Sequence, residues 1–306
     1  MRVSFLPFES STCWRRVVLL WYLVSVPLLM TKSWTYSNRP DPAQRLSRYV
    51  AVGGVCHDEA MTELAYMTRD DWAQHATAMV AQSAVIRDWL GEAPYLLAMT
   101  EMKKYGGDGS VDLEAARFIA PDNGTRIVFD ISELGTLARQ GKTVDHAVVV
   151  LHPRDERSLE AMRTAAETGA VSRLFVLISW PLDIVRSWLD GRGALNLHTG
   201  ETTEAPDPLM VDACTMMISH QYNGLSSGRG KEAVVQLVRA FHAERYPYDV
   251  DAWLRAYFAA GGDFRHGESI KKLVTEMKAG VKHRVAARYR DNIFEIIRSG
   301  QLQQEQ

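Results

Sequence analysis

The chain of 306 residues contains only three cysteines, Cys13, Cys56 and Cys214, and they lie far apart. An odd number of widely spaced cysteines builds neither a disulfide framework nor the paired spacing of a structural zinc site. This scarcity favours a reducing cytoplasm, and a buried thiol is the simplest interpretation of Cys56 and Cys214. No metal site is proposed from the sequence.

The chain also lacks an apolar run of the length that crosses a bilayer. Its one membrane-like segment, residues 17–30, follows Arg15 and Arg16 but has only 14 residues, short of the roughly 20 that a spanning helix needs. Pro27 interrupts it, and no small-x-small cleavage site follows. An uncleaved anchor, a degenerate export signal and a dispensable extension before a start at Met30 stay open. We favour the extension and expect a cytoplasmic protein, with membrane association through residues 17–30 as the alternative.

Neither sign of charge is in excess. The 35 Lys and Arg residues and 37 Asp and Glu residues give a formal net charge of −2, which argues against a broadly basic nucleic-acid binder. Basic residues are concentrated only in residues 265–298, with nine Lys or Arg against four Asp or Glu. Such a segment could contact nucleic acid, an acidic partner or anionic lipid, although a solvated basic face explains it more simply.

No complete nucleotide-binding motif is present. Gly53 and Gly54 follow a short apolar run, but the sequence GGVCHDE lacks the G-x-G-x-x-G spacing. Residues 224–231 resemble a P-loop with one residue too many, and Glu232 stands where Ser or Thr should coordinate magnesium. We reject the P-loop interpretation. The backbone at Gly53 and Gly54 could still approach a ligand closely, so nucleotide binding stays open.

A weaker anion-binding prediction survives for the second segment. Ser227, Arg229 and Lys231 precede a predicted helix, and free amides at a helix start bind anions when cations lie nearby. The structural alternative is a flexible turn between helices, with Ser227 or its neighbour as the cap.

Among the features that are present, residues 145–180 carry the clearest folding signal. Residues 148–151 and 174–178 are uninterrupted apolar runs, which suit strands buried on both faces of a parallel sheet. The segment between them is long enough for a crossover helix, with Asp155 and Glu156 at its positive end. These residues therefore predict a strand–helix–strand unit.

The patterns divide the chain into three predicted parts. Residues 1–44 are an apolar segment and linker, residues 45–200 alternate strands and helices, and residues 206–306 read as helices. The fold class is therefore α/β: a Rossmann-like, mostly parallel sheet of about five strands, followed by an all-helical C-terminal domain or cap. Residues 49–55 are expected to form its first strand, followed by a long helix ending near Leu90. The helices predicted in the last part are residues 209–221, 232–244, 251–260, 268–278 and 291–298.

Polar residues recur where the predicted strands end, and ligands of open α/β sheets bind outside the carboxyl ends of the strands. Histidine titrates near neutrality and a carboxylate can orient it. Arg154 could bind a phosphate, and Ser179 lies at the same predicted edge. Structural roles are the alternative for each residue, such as a strand terminus or a helix cap. The acid–base candidates are His57, Asp58, Asp130 and His152.

Two functional hypotheses of different class follow. The first is a nucleotide or phosphorylated small-molecule binding protein, either a transferase or a hydrolase, with its site at the strand edge. The second is a non-catalytic interaction or regulatory protein that binds nucleic acid or an acidic partner through residues 265–298. No motif names a cofactor, and the sequence leaves open whether the protein is an enzyme.

Overall fold

The computed structural model describes residues 50–51, 62–69, 79–100, 111–120, 128–180 and 183–304. All of them belong to one compact unit, Pro42–Gln306. A seven-stranded, mostly parallel sheet is flanked by helices, so the chain is an α/β protein. The division into residues 45–200 and 206–306 stays a prediction.

The main sheet has the strand order β4-β3-β6-β7-β2-β8-β9, and only the β8–β9 pair is antiparallel. Strands β1 and β5 form a separate antiparallel pair. The bounds are β1 (Val50–Ala51), β2 (Glu63–Thr68), β3 (Tyr95–Met99), β4 (Val128–Asp130), β5 (Thr143–Val144), β6 (Ala147–Leu151), β7 (Arg173–Ile178), β8 (Leu195–Asn196) and β9 (Glu201–Thr202).

Helices follow most strands of the main sheet and make up most of the last hundred residues, together with a short 3₁₀ turn at Gln221–Asn223. Their bounds are α1 (Met79–Leu90), α2 (Val111–Ile119), α3 (Ser132–Arg139), α4 (Glu156–Glu167), α5 (Ile184–Gly191), α6 (Pro208–Ile218), α7 (Gly228–Ala243), α8 (Val250–Ala259), α9 (Phe264–Lys278) and α10 (Ile293–Gln304). The five helices predicted after residue 206 are thus confirmed, with shifted ends.

The predicted strand–helix–strand unit is confirmed as β6, α4 and β7. Strands β6 and β7 are parallel neighbours, and Asp155 caps α4 by accepting a hydrogen bond from the Ser158 amide at 2.9 Å. Both strands are almost completely buried, and successive side chains point to opposite faces of the sheet. Val148 and Val150 join one apolar cluster, whereas Val149 and Leu151 join another.

The two apolar clusters lie on opposite faces of the sheet. One, here called the α1–α2 face, packs the sheet against helices α1 and α2. The opposite cluster includes residues of α3 to α10, among them Phe241 and Trp253. Cys214 is also completely buried there, which agrees with the buried-thiol prediction, and burial raises the pKa of its thiol.

Three predictions about the sheet were wrong. Residues 63–68 do not begin a long helix; they form β2, between β7 and β8, and the described helix that follows is α1, Met79–Leu90. Val50–Ala51 pairs with Thr143–Val144 outside the main sheet, so this described part of residues 49–55 is not its first strand. The sheet has seven strands rather than about five, because β2, β8 and β9 were not predicted.

The error at β2 has a physical cause. Ala65, Tyr66 and Met67 are each at most 2% exposed and contribute to both apolar clusters. A short strand buried on both faces has no polar alternation, and its apolar residues can also match a helical period. None of the described helices is long and apolar enough to cross a membrane, and residues 17–30 lie outside the described part of the chain.

Candidate functional site

A buried histidine–carboxylate pair lies at the carboxyl edge of the main sheet. The Nδ1 atom of His152, directly after β6, is 2.6 Å from Oδ1 of Asp112 in the first turn of α2. The two residues are only 1% and 4% exposed. A carboxylate oxygen only accepts, so Nδ1 carries the proton and the lone pair lies on Nε2. Nε2 is therefore the nitrogen of His152 that can accept a proton.

The backbone of His152 adopts a conformation that is rare for residues with a side chain. Its φ angle is 42°, and Arg245 is the one other described residue beyond glycine with a positive φ. Left-handed backbone costs roughly 1–2 kcal/mol for such a residue. The His152 amide still donates to the Leu177 carbonyl at 2.9 Å, which fixes the strained position to β7. Such strain is often retained at functional sites.

Arg69 holds α2 from a second strand. It follows β2, is 0% exposed, and donates from one guanidinium nitrogen to the Val111 carbonyl at 3.1 Å and from another to Glu114 at 2.7 Å. Its charge is therefore offset by a carboxylate whose side chain is 54% exposed. His152 follows β6 and Arg69 follows β2, and β7 lies between these two strands. The first turn of α2 is therefore bound by residues on both sides of the end of β7.

Two hydroxyl groups at this edge are buried and make no hydrogen bond in the described part of the chain. They belong to Ser179, directly after β7, and Thr100, directly after β3. Strands β3, β6 and β7 are consecutive in the sheet, so these residues flank the strand end that carries His152. Burying a polar group without a partner is costly. Each hydroxyl is thus a group that a bound ligand or water could satisfy.

Burial lowers the pKa of His152 below its ordinary value of 6.5. The hydrogen bond and the charge of Asp112 act in the opposite direction, and the charges of Arg69 and Arg154 add to the lowering. The net direction is downward, so His152 is neutral at neutral pH. A neutral imidazole can accept a proton from a bound group, as a general base requires.

The remaining strand-edge predictions have different outcomes. Arg154 is exposed two residues beyond His152, close enough for its charge to act on the imidazole. Asp130 ends β4 and accepts a hydrogen bond from the Ser132 amide at 2.9 Å, a local turn contact two strands from β6. The catalytic role of Asp130 stays a prediction. The candidates His57, Asp58, Gly53 and Gly54 lie outside the described residues.

A second histidine, His198, contacts the same edge. Its Nε2 lies 2.9 Å from the Thr68 carbonyl at the end of β2. The chain places it there because β8 pairs with β2 and the following turn reverses into β9.

The predicted anion-binding residues belong to another part of the protein. Ser227 precedes α7 and makes no side-chain cap bond, while Arg229 and Lys231 lie in the first turn of α7. Helix α7 packs against α6, α9 and α10, so these residues belong to the helical part. The glycine spacing that resembles a P-loop also has a packing cause. A Cβ atom on Gly230 would lie 1.9 Å from the Gly224 carbonyl oxygen.

The basic segment 265–298 is partly neutralised by carboxylates. Lys271 lies 4.0 Å from Glu268, Lys272 lies 4.0 Å from Glu276, and Arg288 lies 3.8 Å from Glu232. Surface ion pairs of this kind contribute little stability, but they reduce the positive field available to a polyanion. Binding of nucleic acid or an acidic partner at residues 265–298 stays a prediction.

Among the residues that the structure describes, no group of three or more His, Cys, Asp or Glu side chains could hold a metal ion. Comparison with known proteins gave no match to a family model, a curated protein or a solved structure. The fold and the edge cluster thus define an α/β protein with a candidate acid–base site.

Proposed function

We propose that this chain is a transferase or hydrolase acting on a nucleotide or phosphorylated small molecule, with His152 as its general base. The observation that carries the proposal is the buried His152–Asp112 pair at the carboxyl edge of a parallel sheet. In open α/β folds, ligands bind at this edge. Asp112 fixes the ring orientation and stabilises the imidazolium that forms when Nε2 accepts a proton.

The charges around the pair divide the remaining roles. Arg154 is exposed and beside His152, so it is the proposed partner of a ligand phosphate. Arg69 is buried and bound to Glu114 and the Val111 carbonyl, so it positions α2 rather than the ligand. In the proposed reaction, the proton that moves to Nε2 comes from a hydroxyl group or a water molecule bound beside His152.

The fold supports finer proposals about architecture. The parallel order and the edge site favour a Rossmann-like domain. Helices α6 to α10 would then form a helical C-terminal domain that packs on it, for example through the edge-on contact of Trp188 with Phe264, whose ring centroids lie 5.7 Å apart. A cytoplasmic location remains part of the proposal, on the basis of the sparse cysteines.

A buried polar pair with a purely structural role is the competing explanation. The two explanations differ in what happens when a ligand is added. A ligand that binds only the folded protein raises its stability by about 2.7 kcal/mol at a concentration of 100 times Kd. A structural pair gives no such increase that depends on His152.

The test is a thermal-shift screen with AMP, ADP, ribose 5-phosphate and inorganic phosphate. Wild-type protein is compared with His152→Gln and with His146→Gln as the matched control. His146 directly precedes β6, at the opposite end of the strand that leads into His152. We expect at least one probe to stabilise the wild type and His146→Gln, and to lose most of that effect in His152→Gln. Equal shifts in all three proteins, or none in any, would contradict the proposal.

An activity measurement completes the test for any probe that binds. Phosphate release or group transfer from that probe should fall at least about 100-fold in His152→Gln, the lower range of general-base contributions. Asp112→Asn should retain binding better than activity, because the amide keeps a similar volume but does not stabilise an imidazolium. Full activity in both variants would contradict the assigned roles.

A further inference from the structure

Trp180 is the residue at this edge whose exposure is hardest to explain by folding alone. Its side chain is 59% exposed, whereas Trp188 and Trp253 are completely buried. Trp180 comes directly after Ser179, two residues beyond the end of β7. A tryptophan buries a large apolar area when it is covered, so leaving it exposed beside a candidate site forgoes stability.

The hydroxyl group of Ser179 is an independent indication that a ligand with a polar group binds at this edge of the sheet. The residue is 5% exposed, and its hydroxyl group makes no hydrogen bond to any described residue. A buried hydroxyl of this kind calls for an explanation, such as a ligand that completes it. The dipeptide thus combines an unsatisfied polar group with an exposed aromatic ring.

The position of this dipeptide is well defined. The Ile178 carbonyl accepts a hydrogen bond from the Arg69 amide at 2.8 Å, and the Leu177 carbonyl accepts one from the His152 amide at 2.9 Å. The last two residues of β7 are therefore held by the residues that follow both neighbouring strands. On the other side, the Asp183 amide donates to the Trp180 carbonyl at 3.1 Å. Ser179 and Trp180 are presented between the two residues that bind α2.

We infer that Ser179 and Trp180 form the recognition element for a nucleotide, with Trp180 stacking on the base and Ser179 bonding to the ribose or phosphate. This inference rests on the proposed function and narrows its ligand class from phosphorylated small molecules to those with a planar base. Every base has a π-face that can stack on an aromatic side chain. Stacking on Trp180 therefore distinguishes ligands that carry a base from ligands that do not, but it does not distinguish one base from another.

The test uses calorimetric titration of the full chain with two probes, AMP and ribose 5-phosphate, which differ by the base. We expect Trp180→Ala to weaken AMP binding about 5- to 150-fold, the range that one stacked base provides. Binding of ribose 5-phosphate should not change. Trp180→Phe keeps a ring and should retain most of the AMP affinity.

Two further variants complete the design. Tyr222→Ala is the matched control, because Tyr222 is another aromatic residue with a side chain that is 96% exposed, on the 3₁₀ turn after α6. The Tyr222→Ala protein should bind both probes as the wild type does. Ser179→Ala should weaken both probes about 2- to 12-fold, since its proposed partner is present in both.

The outcomes separate the inference from the proposed function. If AMP binds in a His152-dependent way but Trp180→Ala binds it as tightly as Tyr222→Ala does, the inference is wrong and the proposed function stands. If Trp180→Ala weakens both probes equally, Trp180 acts on the fold and the inference is also wrong. If neither probe binds the wild type, the inference and its nucleotide ligand class fail together.

Discussion

Acidification should destabilise this protein through His152. Its folded-state pKa is lowered below 6.5, mainly by burial, whereas in the unfolded chain it titrates near its ordinary value. Between these two pKa values the unfolded state binds more protons, so stability rises with pH. The contribution of neutral His152 is therefore present above about pH 6.5 and is lost as the pH falls toward the folded pKa.

The magnitude follows from the same linkage. One pKa unit corresponds to about 1.4 kcal/mol, so the loss approaches about 1.4 kcal/mol for each pH unit below 6.5, until the folded pKa is passed. The charged groups that act on the imidazole are Asp112, Arg69 and Arg154. The Asp112 carboxylate limits the fall in the pKa of His152, and the two arginine charges lower that pKa further. Replacing His152 removes this whole dependence.

The assay is urea unfolding of wild type, His152→Gln and His146→Gln at several values from about pH 7.5 to about pH 5.5, a range above the ordinary carboxylate pKa values. The difference in unfolding free energy between wild type and His152→Gln should shrink as the pH falls. The His146→Gln variant controls for the loss of a histidine at the other end of β6. A difference that stays constant, or grows on acidification, would show that His152 is not a buried neutral base.

Three further predictions concern the packing and capping of the helices on the other face of the sheet, and urea unfolding checks each. Gly191→Ala should lower the free energy of unfolding by about 1–3 kcal/mol, because a Cβ atom there would lie 2.6 Å from the Arg255 carbonyl oxygen. A Gly191→Ala protein as stable as the wild type would refute that close approach. Phe241→Ala should cost about 3–5 kcal/mol, since its completely buried ring would leave a cavity, and a loss below about 1 kcal/mol would contradict this. Asp249→Ala should cost about 0.5–2 kcal/mol by removing the hydrogen bond from the Ala252 amide to the cap of α8. No loss there would mean that the cap is replaced by solvent.

The parts of the fold that were predictable are those in which local patterns agree with tertiary structure. In β6, α4 and β7, apolar runs, an acidic helix start and a cap at Asp155 all favour the same elements. The helices after residue 206 were predictable because each carries an apolar face at helical spacing. The edge of the sheet was predictable as the place to search, because that rule concerns architecture.

Half of the central pair was not predicted. His152 was a candidate because it follows a clear strand, but Asp112 lies on α2, a nine-residue helix that sequence reasoning overlooked. Its amphipathic pattern, with Ala115, Ala116 and Ile119 buried, could have revealed it. Arg69 was missed for another reason: with β2 interpreted as helix, no strand end existed to direct attention to it.

Long-range pairing explains why such residues escape prediction. The contact between His152 and Asp112 spans 40 positions, and that between Arg69 and Glu114 spans 45. Neither spacing has a local period, so only the strand order brings the partners together. The left-handed backbone of His152 was not predicted either, since a residue before proline usually favours an extended conformation.

A crystal structure of the protein with AMP bound would test the central claim most directly. We expect electron density for the ligand at the carboxyl edge of the sheet, with a polar atom within hydrogen-bond distance of His152 or Ser179. Density at the start of α7, beside Ser227, Arg229 and Lys231, or along residues 265–298 with the strand edge empty, would contradict the account.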